Sequence, residues 1–135
     1  MAALVRHFYW DRDLNCARTT LRCLENMLRE PLHPQVYAAV VGCHGAGATG
    51  GQCGLMEGAL LLIGLHGAEL GMEESAIVDL CADYARLFTE KFGSISCKDL
   101  RPGGVHPNDP PHLCETLSVD AICLLHEKRR CGYFR

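Results

Sequence analysis

Apolar positions recur every three to four residues along most of this chain, and alternating runs that would form strands are nearly missing. From about Asp13 to Arg29, Leu14, Ala17, Leu21, Leu24 and Leu28 make one helical stripe. Cys16, Thr20, Cys23 and Met27 make a second stripe, roughly a third of a turn away, so this helix is expected to be buried on two sides. Asp11, Asp13 and Asn15 are its candidate caps, and Pro31 and Pro34 close it. A short helix follows from about Pro34 to Val41, with proline in the first turn where its missing N–H costs nothing. The pattern then predicts an apolar helix from about Gln52 to His66. A longer one, from about Glu73 to Lys91, carries Ile77, Leu80, Cys81, Tyr84 and Phe88 on one face and has Gly93 as its stop. A last helix, from about His112 to Lys128, rests on Leu113, Leu117, Ala121 and Leu124. The expected fold class is all-α: a single-domain bundle of about five helices, with no sheet beyond a stray pair.

The connections carry the irregular chemistry. Between Gly42 and Gly54 the glycine density implies a tight loop in which backbone approaches backbone or a bound group. Ser94 or Ser96 is placed to cap a short turn of Cys97, Lys98, Asp99 and Leu100. From Arg101 to Pro111, prolines and glycines dictate an irregular loop. No repeat or composition break divides residues 1–135, so one domain is expected.

Composition narrows the function classes. A chain of 135 residues, 48% hydrophobic and 21% charged, is long enough to bury a core without crosslinks. Its net charge of -3 leaves no basic footprint for nucleic acid. The longest apolar run, Ala59 to Leu65, is interrupted by Gly64 and falls far short of the roughly 20 residues that span a bilayer, so no membrane insertion is expected. Met1 to Asp13 is too charged for a secretory signal, and a cytoplasmic address is expected, where thiols stay reduced. Nine cysteines is then a high and odd count, to be explained by packing, metal binding or redox chemistry.

Helix position sorts these cysteines. Cys16, Cys53, Cys97 and Cys114 each fall in or beside the first turn of an expected helix, where free N–H groups and the positive dipole end favour a thiolate and are expected to lower its pKa. Cys23, Cys81 and Cys123 lie mid-helix, where cysteine serves as a small buried hydrophobe; Cys43 ends a helix and Cys131 is in the tail. Packing alone competes as an explanation for any one of them. No C-x-x-C occurs, which argues against thioredoxin-like chemistry, and without C-x-x-C-H there is no covalent haem motif. The Gly-rich loop lacks the G-K-[ST] ending of a phosphate loop. His44 and His66 are further candidate ligands and Glu57 a candidate acid or base, though each is an ordinary surface or helix residue on the competing reading. Lys128, Arg129 and Arg130 complement the last helix's dipole.

Asn15-Cys16-Ala17, the Gly-rich loop into Cys53-Gly54-Leu55-Met56-Glu57-Gly58, then Phe92-Gly93-Ser94-Ile95-Ser96-Cys97-Lys98-Asp99-Leu100 and Cys114 occur in that order. This order resembles a family of redox-active proteins defined by four cysteines and a C-G-A-x-x-G motif, over about Asn15 to Ile122. The resemblance implies a redox role on the same four cysteines, with an iron-sulfur centre as the plausible cofactor. The chain departs from the pattern at Leu55, where the family has alanine, which bears on the space around Cys53.

Three functions fit these residues. The first is electron transfer through an iron-sulfur centre held by Cys16, Cys53, Cys97 and Cys114, with Gly51 and Gly54 leaving room for the cluster or a partner sulfur to approach. The second is a metal-free dithiol/disulfide redox protein using two of the same thiols. The third is a partner-binding module held by a four-cysteine zinc site, a weaker fit because zinc ligands usually come in closely spaced pairs. A redox partner protein is implied, and a homo-oligomer is compatible with the sequence.

Overall fold

Helix α2, Cys16–Leu28, starts where its cap allows. Of the three candidate caps, Asn15 is the one used: its backbone is extended and its side-chain oxygen accepts from the Arg18 N–H at 2.9 Å. The same side chain donates to the Val41 carbonyl at 2.8 Å, tying the helix start to the Gly-rich loop. Arg29, at φ 55°, turns the chain out of the helix before Pro31. Both stripes are buried as expected, with Ala17, Leu21 and Leu24 on one and Thr20 and Cys23 on the other.

The fold, a computed structural model that describes residues 1–132, is built around the crossing of α2 and α5 (Gly54–Glu69). Gly54 and Gly58, one turn apart, line that crossing. A Cβ at Gly58 would lie 3.0 Å from the Ala17 carbonyl oxygen and 3.1 Å from Thr20 Cβ, so the helices meet backbone to backbone. Helix α6, Glu74–Phe92, covers another side of α5 and ends at Gly93 in the left-handed conformation. Helix α8, Glu115–Arg130, closes the core against α2 and against α1, Ala2–Arg6. Leu21, Leu24, Leu55, Met56, Ile63, Tyr84, Phe88, Ile122 and Leu125 are sealed inside. No helix among the described residues is long and apolar enough to cross a membrane.

The all-α expectation holds: among the described residues the only sheet-like feature is an antiparallel bridge between Gln52 and Ser96. Several boundaries differ. The N-terminal segment, given no helix from its pattern, forms α1 and then a π-helical turn, His7–Asp11. This places Val5, Phe8 and Tyr9 in the core. The second helix, α3, Pro34–Ala39, stops short of Val41. The third begins at Gly54 rather than Gln52 because the bridge holds residue 52 extended. The last begins at Glu115 rather than His112, after a 3-10 turn, Pro111–Cys114. Short α7, Cys97–Leu100, has Ser96 at its cap position, but the hydroxyl that acts is that of Ser94, which accepts from the Ser96 N–H and donates to Asp99.

Candidate functional site

All four cysteines selected from the sequence begin helices. Cys16 and Cys97 are the first residues of α2 and α7, and Cys53 and Cys114 are the N-caps of α5 and α8. The fold brings these four starts together. The Cys53 N–H donates to the Ile95 carbonyl at 2.7 Å, and the Cys97 N–H donates to the Gly51 carbonyl at 2.6 Å, so the bridge sets Cys53 and Cys97 on facing segments. At the α2–α5 crossing, a Cβ on Gly54 would overlap the Cys16 sulfur and fall 2.8 Å from the Cys43 carbonyl oxygen. A charge on any one of the four sulfurs is felt by each of the other three.

The expected lowering of their pKa is not what the structure shows. Burial raises all four, and repulsion among them raises Cys16, Cys53 and Cys114 further. Cys53 is pushed up to about 11 by desolvation, even though the Leu55 and Met56 N–H groups at the start of α5 favour its thiolate. The local helix-end field acts in the anticipated direction, but loss of water outweighs it. The unloaded site is therefore a nest of neutral thiols. Removing their protons together requires positive charge to replace them.

The Gly-rich loop supplies one wall. Gly45–Ala48 (α4) forms a turn of left-handed sense, with φ of 60°, 49°, 69° and 64° along its four residues. Glycine accepts this freely, whereas Ala46 and Ala48 each cost about 1–2 kcal/mol there. Thr49 helps to hold the turn, its hydroxyl donating to the Gly45 and Ala46 carbonyls at 3.2 and 2.9 Å. Gly45 packs on Cys97: an added Cβ would lie 3.0 Å from its sulfur. Of the two glycines expected to leave room for a cluster or a partner sulfur, Gly54 leaves it for a sulfur and Gly51 for neither. The space beside Gly51 is filled by Ala46, and that beside Gly54 by the Cys16 sulfur. Leu55, the departure from the family pattern, is absorbed into the core. Glu57 faces this loop, where burial raises its pKa against the pull of the Ala46 N–H, and its Oε2 is buried without a hydrogen-bond partner.

The opposite wall is the Arg101 to Pro111 loop, which sequence reasoning left without a role. Arg101 clasps it shut: Nε donates to Asp109 at 3.2 Å and a terminal nitrogen donates to the Pro110 carbonyl at 2.7 Å. The other terminal nitrogen reaches the Cys114 sulfur at 3.6 Å. Arg101 is the cation nearest the thiols in effect, favouring the charged forms of both Cys97 and Cys114. An arginine set among prolines and glycines was the signal available in the sequence. Between the two walls lies a cavity of about 380 Å³ that reaches Cys16, Cys97 and Cys114, with His44 and His106 on its rim; Cys53 does not line it.

His44 is thus at the site and His66 is not. His66 lies 13 residues beyond Cys53, about 20 Å along α5. There it accepts from Arg129 at 2.7 Å, and Arg129 also pairs with Glu30. Cys23 is sealed in the core near Cys123, Cys81 is half-buried on α6, and Cys131 is exposed.

Residues 14–128 match the family described as "Putative redox-active protein (C_GCAxxG_C_C)". The chain belongs to this family. The matched span includes all four cysteines that begin helices. Around Cys53 the family signature is followed loosely, through Gln52-Cys53-Gly54-Leu55-Met56-Glu57-Gly58, with glycines at 54 and 58 where the α2 crossing requires them. No curated protein and no solved structure matches the chain.

Proposed function

We propose that this member of the redox-active family carries electrons on an iron-sulfur centre bound by Cys16, Cys53, Cys97 and Cys114. The observation that carries the reading is the convergence of four cysteines from four helix starts: Cys16, Cys97 and Cys114 line one cavity, and paired backbone hydrogen bonds hold the Cys53 segment against that of Cys97, with Cys53 and Cys114 buried and Cys16 and Cys97 partly so. As a donor set these sulfurs fit the group: buried thiolates that repel one another are stable only around a cation. As the side chains stand, no three His, Cys, Asp or Glu donors among the described residues close round a single ion.

Such a centre, when bound, supplies a reversible electron. The chain supplies the rest. Arg101 offsets negative charge on the Cys97 and Cys114 side, and the start of α5 does the same for Cys53. Burial of Cys53 excludes water from one side, while the cavity leaves the Cys16, Cys97 and Cys114 side open to a redox partner.

That same opening favours one second reading, a metal-free dithiol. A thiolate at the cavity would displace one sulfur of a partner disulfide. A second cysteine here would then attack the sulfur of the first and displace the partner's remaining sulfur, leaving one disulfide here and two reduced thiols on the partner. Anaerobic purification with an absorption spectrum and iron, sulfide and zinc analysis separates the readings. Iron and sulfide in equal amounts, lost together in Cys53→Ser, support the centre. A colourless protein that forms a disulfide under mild oxidation supports the dithiol.

A further inference from the structure

Arg101 is the cation in the wall of the cavity, and its side chain is only 12% exposed. Three of the five guanidinium hydrogens go to Asp109, the Pro110 carbonyl and the Cys114 sulfur. Each terminal nitrogen therefore keeps one hydrogen with no partner among the described residues. Asp109 is the one carboxylate in the cavity wall, and the loop already holds it: its Oδ2 accepts from the His106 N–H at 2.8 Å as well as from Arg101. A smaller hollow of about 200 Å³ adjoins the cavity, and Cys16, His44, Arg101 and Asp109 line both. The three sulfurs that reach the cavity are not equivalent. Cys16 is lodged against Gly54 and Cys97 against Gly45, each sulfur close to glycine backbone. The Cys114 sulfur instead meets the Arg101 guanidinium, at 3.6 Å. Cys114 is 7% exposed, so a reagent reaches it through the cavity, which a disulfide carried on a folded protein surface does not enter.

We propose that Cys114 takes up one half of a small, carboxylate-bearing disulfide, with Arg101 binding the carboxylate and the cavity holding the retained half. This deepens the dithiol reading by naming its disulfide, and rests on that reading for turnover alone. In the covalent step Cys114 gives up its proton and its Sγ attacks one sulfur of R–S–S–R. The S–S bond breaks, and the electron pair leaves on the other half, which takes up the proton as R–SH. The small disulfide is itself the oxidant, and one mixed disulfide is left at Cys114. Burial keeps the resting thiol neutral, and the guanidinium opposes that. The side chain that binds the carboxylate thus also favours the attacking thiolate. At about 380 Å³ the cavity is of the size that small molecules fill.

The test uses the metal-free full chain and two disulfides of similar size, dithiodipropionate with its carboxylates and the uncharged hydroxyethyl disulfide. Each is added at one fixed pH, the reaction is quenched with acid, and peptide mass mapping gives the rate of mixed-disulfide formation at each cysteine. The quantity read is the ratio of the two rates at Cys114. Intrinsic reactivities of the reagents cancel when that ratio is compared between proteins, and so does any general opening of the loop. Wild type is expected to exceed Arg101→Gln in this ratio by about tenfold or more, the worth of a hydrogen bond to a charged group. Asp109→Asn, which removes the competing carboxylate from Arg101, is expected to raise the ratio above wild type. Equal ratios in wild type and Arg101→Gln overturn the proposal. Adducts at Cys16 or Cys97 in place of Cys114, or no adduct at any of the three, overturn it as well. Should Arg101→Gln fail to fold, an unchanged ratio in Asp109→Asn overturns it instead. A stable Cys114 adduct that no second cysteine releases sinks the dithiol reading and leaves the binding of the carboxylate disulfide standing.

Discussion

Replacing Gly58 with alanine tests the α2–α5 crossing on which the site is assembled. The new Cβ would meet three atoms of α2: the Ala17 carbonyl oxygen at 3.0 Å, Thr20 Cβ at 3.1 Å and Ala17 Cα at 3.2 Å. Two of these are backbone, so relief requires the helices to move apart. Alanine in a helix interior gains about 1 kcal/mol over glycine. Overpacking of this kind costs about 1–3 kcal/mol, and immovable backbone neighbours place it in the upper half of that range, for a net loss of about 1–2 kcal/mol. Gly64, on the same helix, is the control: nothing lies within 4 Å of its added Cβ, so Gly64→Ala keeps the helical gain alone. The two variants should differ by about 2–3 kcal/mol, which for a domain of this size separates their melting midpoints by about 10 °C. Thermal melts followed by circular dichroism read the difference directly. If Gly58→Ala melts at or above Gly64→Ala, the crossing is looser than described and the packing account of both family glycines is wrong.

Cys53→Ser should remove iron binding and redox activity while the melting midpoint moves by the equivalent of about 1 kcal/mol or less, because serine is a good N-cap; wild-type metal content in the variant would exclude Cys53 as a ligand. Cys81→Ser, on the half-buried face of α6, should retain full loading and lose about 1 kcal/mol of stability in the same assays. In the metal-free protein Cys53 has its pKa raised from 9.0 to about 11, so the neutral thiol is favoured by the fold. That contribution is fully present below pH 9 and is lost as pH rises toward 11, so melts across this window should show falling stability, less so in Cys53→Ser. Arg101→Gln should open the clasp to Asp109 and speed proteolysis within residues 101–111, read by limited digestion; an unchanged cleavage rate would show that the loop holds itself.

Local physics was legible in the sequence because it is carried by neighbours in the chain. The stripes of α2 and α6, the Asn15 cap and the Gly93 stop all follow from residues within a few positions of each other, and the structure keeps them. The placing of Cys16, Cys53, Cys97 and Cys114 at helix starts belongs to this class, and so does their match to the family pattern. The N-terminal helix was illegible because its periodicity breaks at the π-helical turn, which only the burial of Phe8 and Tyr9 against the rest of the chain makes favourable.

What tertiary structure alone decided is what depends on distance between remote residues. The sign of the thiol shifts reversed because a helix dipole is local, whereas desolvation is set by every element packed around the sulfur. Gly51 and Gly54 read as space for a cluster or a partner sulfur; the first space is taken by Ala46, turned against it by the left-handed turn of the same loop, and the second by the sulfur of Cys16, whose distance in the chain leaves no pattern to pair the two. His44 and His66 looked alike as flanks of one glycine-rich segment, and a helix some 20 Å long put one at the site and the other at its far end. The left-handed hand of Gly45–Ala48 runs against the preference of its two alanines and exists because contacts with Cys97 and Thr49 hold it there. Arg101 became part of the site when its loop folded back from α7 to meet the start of α8, a closure that the intervening prolines permit but do not specify.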